Sequence, residues 1–207
     1  MPVAERKRPF YLVLALLGAL ALGTIGASRG WDMVALYREP VDTSLPGRGI
    51  ADDADRAAVV ARSEALLHAI DAARPRGWPI SVGELVLGSA ILLFAMRVIG
   101  GSRGARAALI QLVVAQAALG AVSYRLLPEV ATSKIRLDLA EKAARDHQAF
   151  PQQERVEELR VTPQVLQMMP RIDLALRTLC STLVVLALTR RRAREFFDAS
   201  TEVLGEG

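Results

Sequence analysis

The chain has 207 residues, of which 52% are hydrophobic and 23% charged, and its mean hydropathy is +0.27. Positive hydropathy beside so many charges requires the two populations to be segregated, as in a membrane protein with polar connections, and excludes an intrinsically disordered chain. The single cysteine, Cys180, excludes a disulfide scaffold.

Four segments are apolar enough to span a bilayer, which takes about 20 helical residues. The first, 9–27, has no charge between Arg8 and Arg29. It reads as an uncleaved anchor rather than a signal peptide: the run is longer than the usual apolar region, and Ile25 fits poorly two residues before Ala27. Its Ala15, Ala19, Gly23 and Ala27 recur every four residues. Such a ridge of small side chains lets a second helix approach closely, although alanine is common throughout the chain.

The connection 28–78 follows. Gly30, Pro40, Pro46, Gly47 and Gly49 suggest loop up to residue 50. A helix is then expected over 53–74, with Asp52 or Asp53 as its cap, Val59, Leu66, Ile70 and Ala73 on one side, and Pro75 after its end. The second span covers 79–99 and carries Glu84 and Arg97. A turn at 100–104, GGSRG, leads to the third span, 105–127, which contains Gln111 and Gln116. The connection 128–169 should hold a helix over 129–149, with Ile135, Leu139 and Ala143 on one side, and a short charged helix over Gln152 to Val161. The fourth span is 170–189, opened by Pro170, and 190–207 is a tail. The fold class expected is all-α: four transmembrane helices with a small helical extracytoplasmic cap, because alternating strand periodicity is absent and spanning segments without it are helical.

Charge flanks orient these spans. Arg6, Lys7 and Arg8, then Arg103 and Arg106, then Arg190, Arg191, Arg192 and Arg194 all fall on one side if all four segments cross. Loop 28–78 has seven basic and eight acidic residues, and loop 128–169 has six basic and seven acidic, so both are close to neutral. The positive-inside rule then puts both termini in the cytoplasm. Only Lys7, Lys134 and Lys142 are lysine among 26 basic residues. That arginine-rich usage accompanies GC-rich genomes and suggests a bacterial inner membrane.

Motifs of catalysis are missing. No P-loop, dinucleotide fingerprint, GxSxG elbow or HExxH is present, so no catalytic residue, cofactor or metal is assigned. His68 and His147 lie in separate connections. Either could join Glu64, Asp71 or Asp146 around a metal, but solvated surface histidines are the plainer reading. The sharper candidate is an intramembrane polar site of Glu84 and Arg177, with Arg125 near the same outer layer. Charges in a bilayer are costly and face a partner or water. They form either a structural ion pair, with Arg125 reaching the interface, or a site for an ion, proton or anionic headgroup. Gln111 and Gln116 are read as interhelical hydrogen-bonding groups. Arg190, Arg191, Arg192 and Arg194, followed by Phe196 and Phe197, suit a short interfacial helix on anionic lipid.

The expected function is a structural or accessory subunit of a membrane assembly. The expected partners are the lipid bilayer and other membrane subunits or a second copy of the chain, with no nucleic acid. A small transporter or channel component using Glu84 and Arg177 is the first alternative. A membrane enzyme acting on lipid at the outer interface is the second.

Overall fold

The structure is a computed structural model, and it describes residues 10–38, 49–149, 163–193 and 195–197. Five long helices follow one another: α1 (Phe10–Arg38), α2 (Asp53–Ile99), α3 (Arg103–Leu126), α4 (Pro128–Ala149) and α5 (Pro163–Thr189). No strand occurs among the described residues. Helices α1, α2 and α3, and the Met168–Thr189 part of α5, are each long and apolar enough to cross a membrane. The protein is therefore all-helical with four candidate spans.

The helix ends follow from local chemistry. Asp52 caps α2, its Oδ1 accepting from the amides of Ala54 at 2.8 Å and Asp55 at 3.0 Å. Asp53 and Asp55 in the first turn complement the positive end of the helix dipole. At the other end, Gly101 N–H donates to Val98 O and Ser102 N–H to Arg97 O. This closing motif needs a left-handed residue, and Gly101 supplies it with φ 90°. Between α3 and α4 lies only Leu127. Pro128 has no N–H to continue α3 but is well suited to the first position of a new helix.

The chain divides into two compact units. One draws on α1 up to Trp31, α2 from Ser81, α3 up to Ala121 and α5 from Ala175 onwards; the other takes the intervening parts of those helices and α4. In the first unit the buried cluster includes Leu12, Leu16 and Ala19 of α1, Ile91 and Ala95 of α2, Leu109 and Val113 of α3, and Val184 and Leu188 of α5. Helix α1 touches each of the other three. Gly18 lies against Val184 of α5, Gln116 of α3 donates to Leu22 O, and Gly23, Gly26 and Gly30 face α2.

The α1–α2 contact is backbone against backbone. A Cβ on Gly88 would overlap the backbone nitrogen of Ala27 and lie 2.7 Å from the carbonyl carbon of Gly26. One on Gly30 would lie 2.6 Å from the Cα of Leu85, and one on Gly23 would lie 3.0 Å from Gly88 O. Position 30 of α1 thus meets 85 of α2, and position 23 meets 88 to 92, so the two segments run antiparallel. The small-residue ridge expected in α1 is present: Ala15, Ala19 and Gly23 are buried, and Ala27 is half-buried.

In the second unit, α2 buries Val59, Ser63, Leu66, Ile70, Gly77 and Ile80, a three- and four-residue rhythm that keeps one face inward. Val59, Leu66 and Ile70 are the side chains expected there. Helix α4 buries Val130 and Ala144 instead of the expected stripe, with Ile135 and Leu139 half-buried and Ala143 exposed. Tyr37 of α1 is buried with its ring against Gly77, where a Cβ would overlap the phenol oxygen.

Three expected boundaries are wrong. Residues 28–38 are helical rather than loop, because Gly30 serves close packing and not a turn. The expected break at Pro75 does not occur, and α2 runs 47 residues through Pro75 and Pro79. Both prolines are exposed, so the carbonyls of Asp71 and Pro75, deprived of their usual N–H donors, lie on a face open to solvent. Pro170 lies inside α5 rather than at its start. The short helix expected over 152–161 lies outside the described residues.

Gly88→Ala should destabilise the protein by about 1–3 kcal/mol, as overpacking against backbone does, and lower its melting temperature in detergent. Gly120→Ala, where a Cβ meets nothing within 4 Å, should not. Equal stability of the two variants would contradict the close crossing.

Candidate functional site

Gln116 donates from Nε2 to Leu22 O at 3.2 Å, and Gly26 leaves the space its amide occupies. This is the interhelical hydrogen bond expected of Gln116. Its Oε1 is buried with no hydrogen-bond partner. Gln111 is exposed and does not share this role, as the five-residue spacing foreshadows.

Glu84 and Arg177 lie in the same unit, and Arg125 lies in the other. Glu84 and Arg177 are half-buried, whereas Arg125 is exposed. Glu84 and Arg177 each take part in a polar or electrostatic interaction. Beyond Arg125, Arg171 Nε donates to Tyr124 Oη at 3.2 Å.

The basic end of the first unit differs from expectation in its aromatic residues. Phe197 is 0% exposed and belongs to the buried cluster with Leu12 and Leu188, and Phe196 packs partly against that cluster. The two rings meet edge to face at 5.5 Å. The phenylalanines therefore fasten the segment after α5 to the bundle instead of offering an apolar face to lipid. The cations stay outward. Arg190, Arg191 and Arg192 are exposed. Arg190 lies over the Tyr11 ring at 5.5 Å, and Arg191 pairs with Glu195 at 3.0 Å. The side chain of Arg194 lies outside the described residues.

One cluster was not anticipated. His147 Nδ1 lies 2.7 Å from Asp55 Oδ2, joining the last turn of α4 to the first turn of α2 across 92 positions of sequence. Asp52 stands beside them: one ligand atom from each of Asp52, Asp55 and His147 lies within 4.8 Å of the other two. His147 thus does not use its neighbour Asp146, which is exposed, and His68, Glu64 and Asp71 are exposed as well. Asp71 instead pairs with Arg74 at 3.3 Å. The signal available in the sequence was the acidic cap of α2 and a histidine near the end of α4. Which acidic cap meets which histidine depends on how the helices pack.

Comparison of the chain with family models, with curated proteins and with solved structures gives no match.

Proposed function

We propose that the protein is a multi-pass protein of the bacterial inner membrane that serves as a structural or accessory subunit of a membrane assembly. The observation that carries this reading is the distribution of apolar surface. In the first unit Leu14 and Leu17 of α1, Leu93 of α2 and Leu179, Leu183 and Leu186 of α5 are all more than half exposed. Fully burying one such side chain is worth about 1.5–3 kcal/mol, so leaving so many in water would be unfavourable, whereas lipid or a neighbouring helix covers them without cost.

Length supports the same division. At about 1.5 Å per residue, the 47 residues of α2 reach about 70 Å, more than twice a hydrocarbon layer of about 30 Å. The apolar windows of the four long helices fall mainly in the first unit, and the charged, near-neutral connections mainly in the second. In this reading the first unit is embedded and the second is an extracytoplasmic helical cap. The arginine flanks favour a cytoplasmic location for both termini, with Arg190, Arg191, Arg192 and Arg194 meeting anionic headgroups there.

Glu84 and Arg177 follow closely after Ser81 and Ala175, where their helices enter the first unit. We assign them to a structural ion pair in the outer leaflet. One acid and one base form no relay, and each would be costly alone by about 2.5–3.5 kcal/mol even on the lenient insertion scale.

Glu84→Ala should lower the yield of folded protein, and adding Arg177→Leu should restore part of it. Native electrophoresis in mild detergent should show both the wild type and the restored double variant in one complex of fixed stoichiometry, larger than a single chain. Migration of the wild type as a single chain in every mild detergent and in nanodiscs would contradict the subunit reading. A double variant that folds and assembles but fails in the cell would instead favour transport through the Glu84 and Arg177 site.

A further inference from the structure

The cluster at the start of α2 and the end of α4 contains an imidazole and two carboxylates contributed by segments remote in sequence. We propose that Asp52, Asp55 and His147 bind a divalent cation of the zinc class, which clips the start of α2 to the last turn of α4.

Spacing is the first argument. Zinc holds nitrogen and carboxylate oxygen ligands at about 2.0–2.2 Å. Three ligand atoms within 4.8 Å of one another lie within reach of one shared ion.

Burial is the second argument. The Asp55 and His147 side chains are only 21% and 25% exposed and lie against each other at 2.7 Å, so two of the three donors are already drawn largely out of water. A metal needs a nitrogen with a free lone pair: on loading, an imidazolium releases one proton to solvent, whereas a neutral imidazole binds through one nitrogen and keeps its proton on the other.

Preorganisation is the third. The amides of Ala54 and Asp55 fix one oxygen of Asp52, the kind of support that orients a metal ligand. The donor set also states the class of ion. Magnesium and calcium prefer shells of oxygen alone, whereas imidazole with carboxylate suits zinc and its neighbours.

The test is calorimetric titration of Zn²⁺ into untagged, full-length protein in detergent, stripped beforehand with EDTA. The wild type should bind one zinc per chain with micromolar affinity or better and melt at a higher temperature when loaded, and Mg²⁺ should do neither. His147→Ala should abolish binding. Asp52→Asn is the decisive variant, because asparagine caps a helix as well as aspartate does and the Asp55–His147 contact is untouched. It should melt like the wild type in EDTA yet bind zinc at least about tenfold more weakly. His68→Ala should bind like the wild type. Absence of zinc binding by folded wild-type protein, or wild-type affinity in Asp52→Asn, would overturn the proposal.

Discussion

The α1–α2 crossing is the constraint on which the first unit depends. Between Gly30 and Leu85, and again between Gly26, Ala27 and Gly88, the two backbones approach until no Cβ fits. Association of helices in lipid gains little from apolar burial, since lipid tails are as apolar as leucine, and rests on close packing and hydrogen bonds. Three glycines on one helix opposing one on the other supply the packing. Gln116 supplies a hydrogen bond from α3 at the next turn of the same ridge. Because α1 also lies against α5 through Gly18 and Val184, the first helix is the post around which the other three are placed. Its apolar sequence therefore carries positional information that mean hydropathy does not show.

A second constraint is the continuity of α2. A helix of this length that crosses a bilayer must change its surroundings part of the way along. The exposed chemistry of α2 does change along its length. Val86, Leu93 and Met96 are exposed in one part, and Glu64, His68, Asp71, Arg74 and Arg76 in the other. Pro75, Pro79 and Trp78 fall between, on exposed positions, where carbonyls to which the prolines cannot donate can be hydrated and an indole suits a membrane–water boundary. A proline pair that breaks a helix in isolation is tolerated here because the inward face, from Val59 to Gly77 and Ile80, is held by packing.

These features explain what could be read from the sequence. The four apolar segments, an aspartate cap at Asp52 or Asp53, the turn at 100–104 and most of the inward face of Val59, Leu66, Ile70 and Ala73 depend on local pattern, and the sequence displays them; which aspartate caps the helix is settled by its bonds to Ala54 and Asp55, and Ala73 is only half-buried. Gly30, Pro75 and Pro170 mislead because a local rule for breakers gives way to tertiary packing. Phe197 and the Asp55–His147 pair were out of reach for a related reason. Next to four arginines, phenylalanine has the same appearance whether it faces lipid or inserts into a helix bundle. Two polar residues 92 positions apart meet only once the helices have a register. For Glu84, Arg177 and Arg125, cost in lipid makes them notable, but their depth follows from the bilayer and cannot be read from sequence spacing.

The central claim is that lipid covers one part of α2 and water the other, and site-directed labelling of the full chain in native membranes tests it directly. Ala61, Ala65 and Ala72 are exposed in the second unit, and Val86 and Leu93 are exposed in the first. Single cysteines at each, in a Cys180→Ala background, all lie on exposed positions of the bare protein, so a large difference reports the surrounding medium. A membrane-impermeant, water-soluble maleimide should label positions 61, 65 and 72 rapidly from the outer side and leave 86 and 93 unmodified until the membrane is dissolved by denaturing detergent. Labelling of positions 86 and 93 at the rate of position 65 in intact membranes would contradict the account.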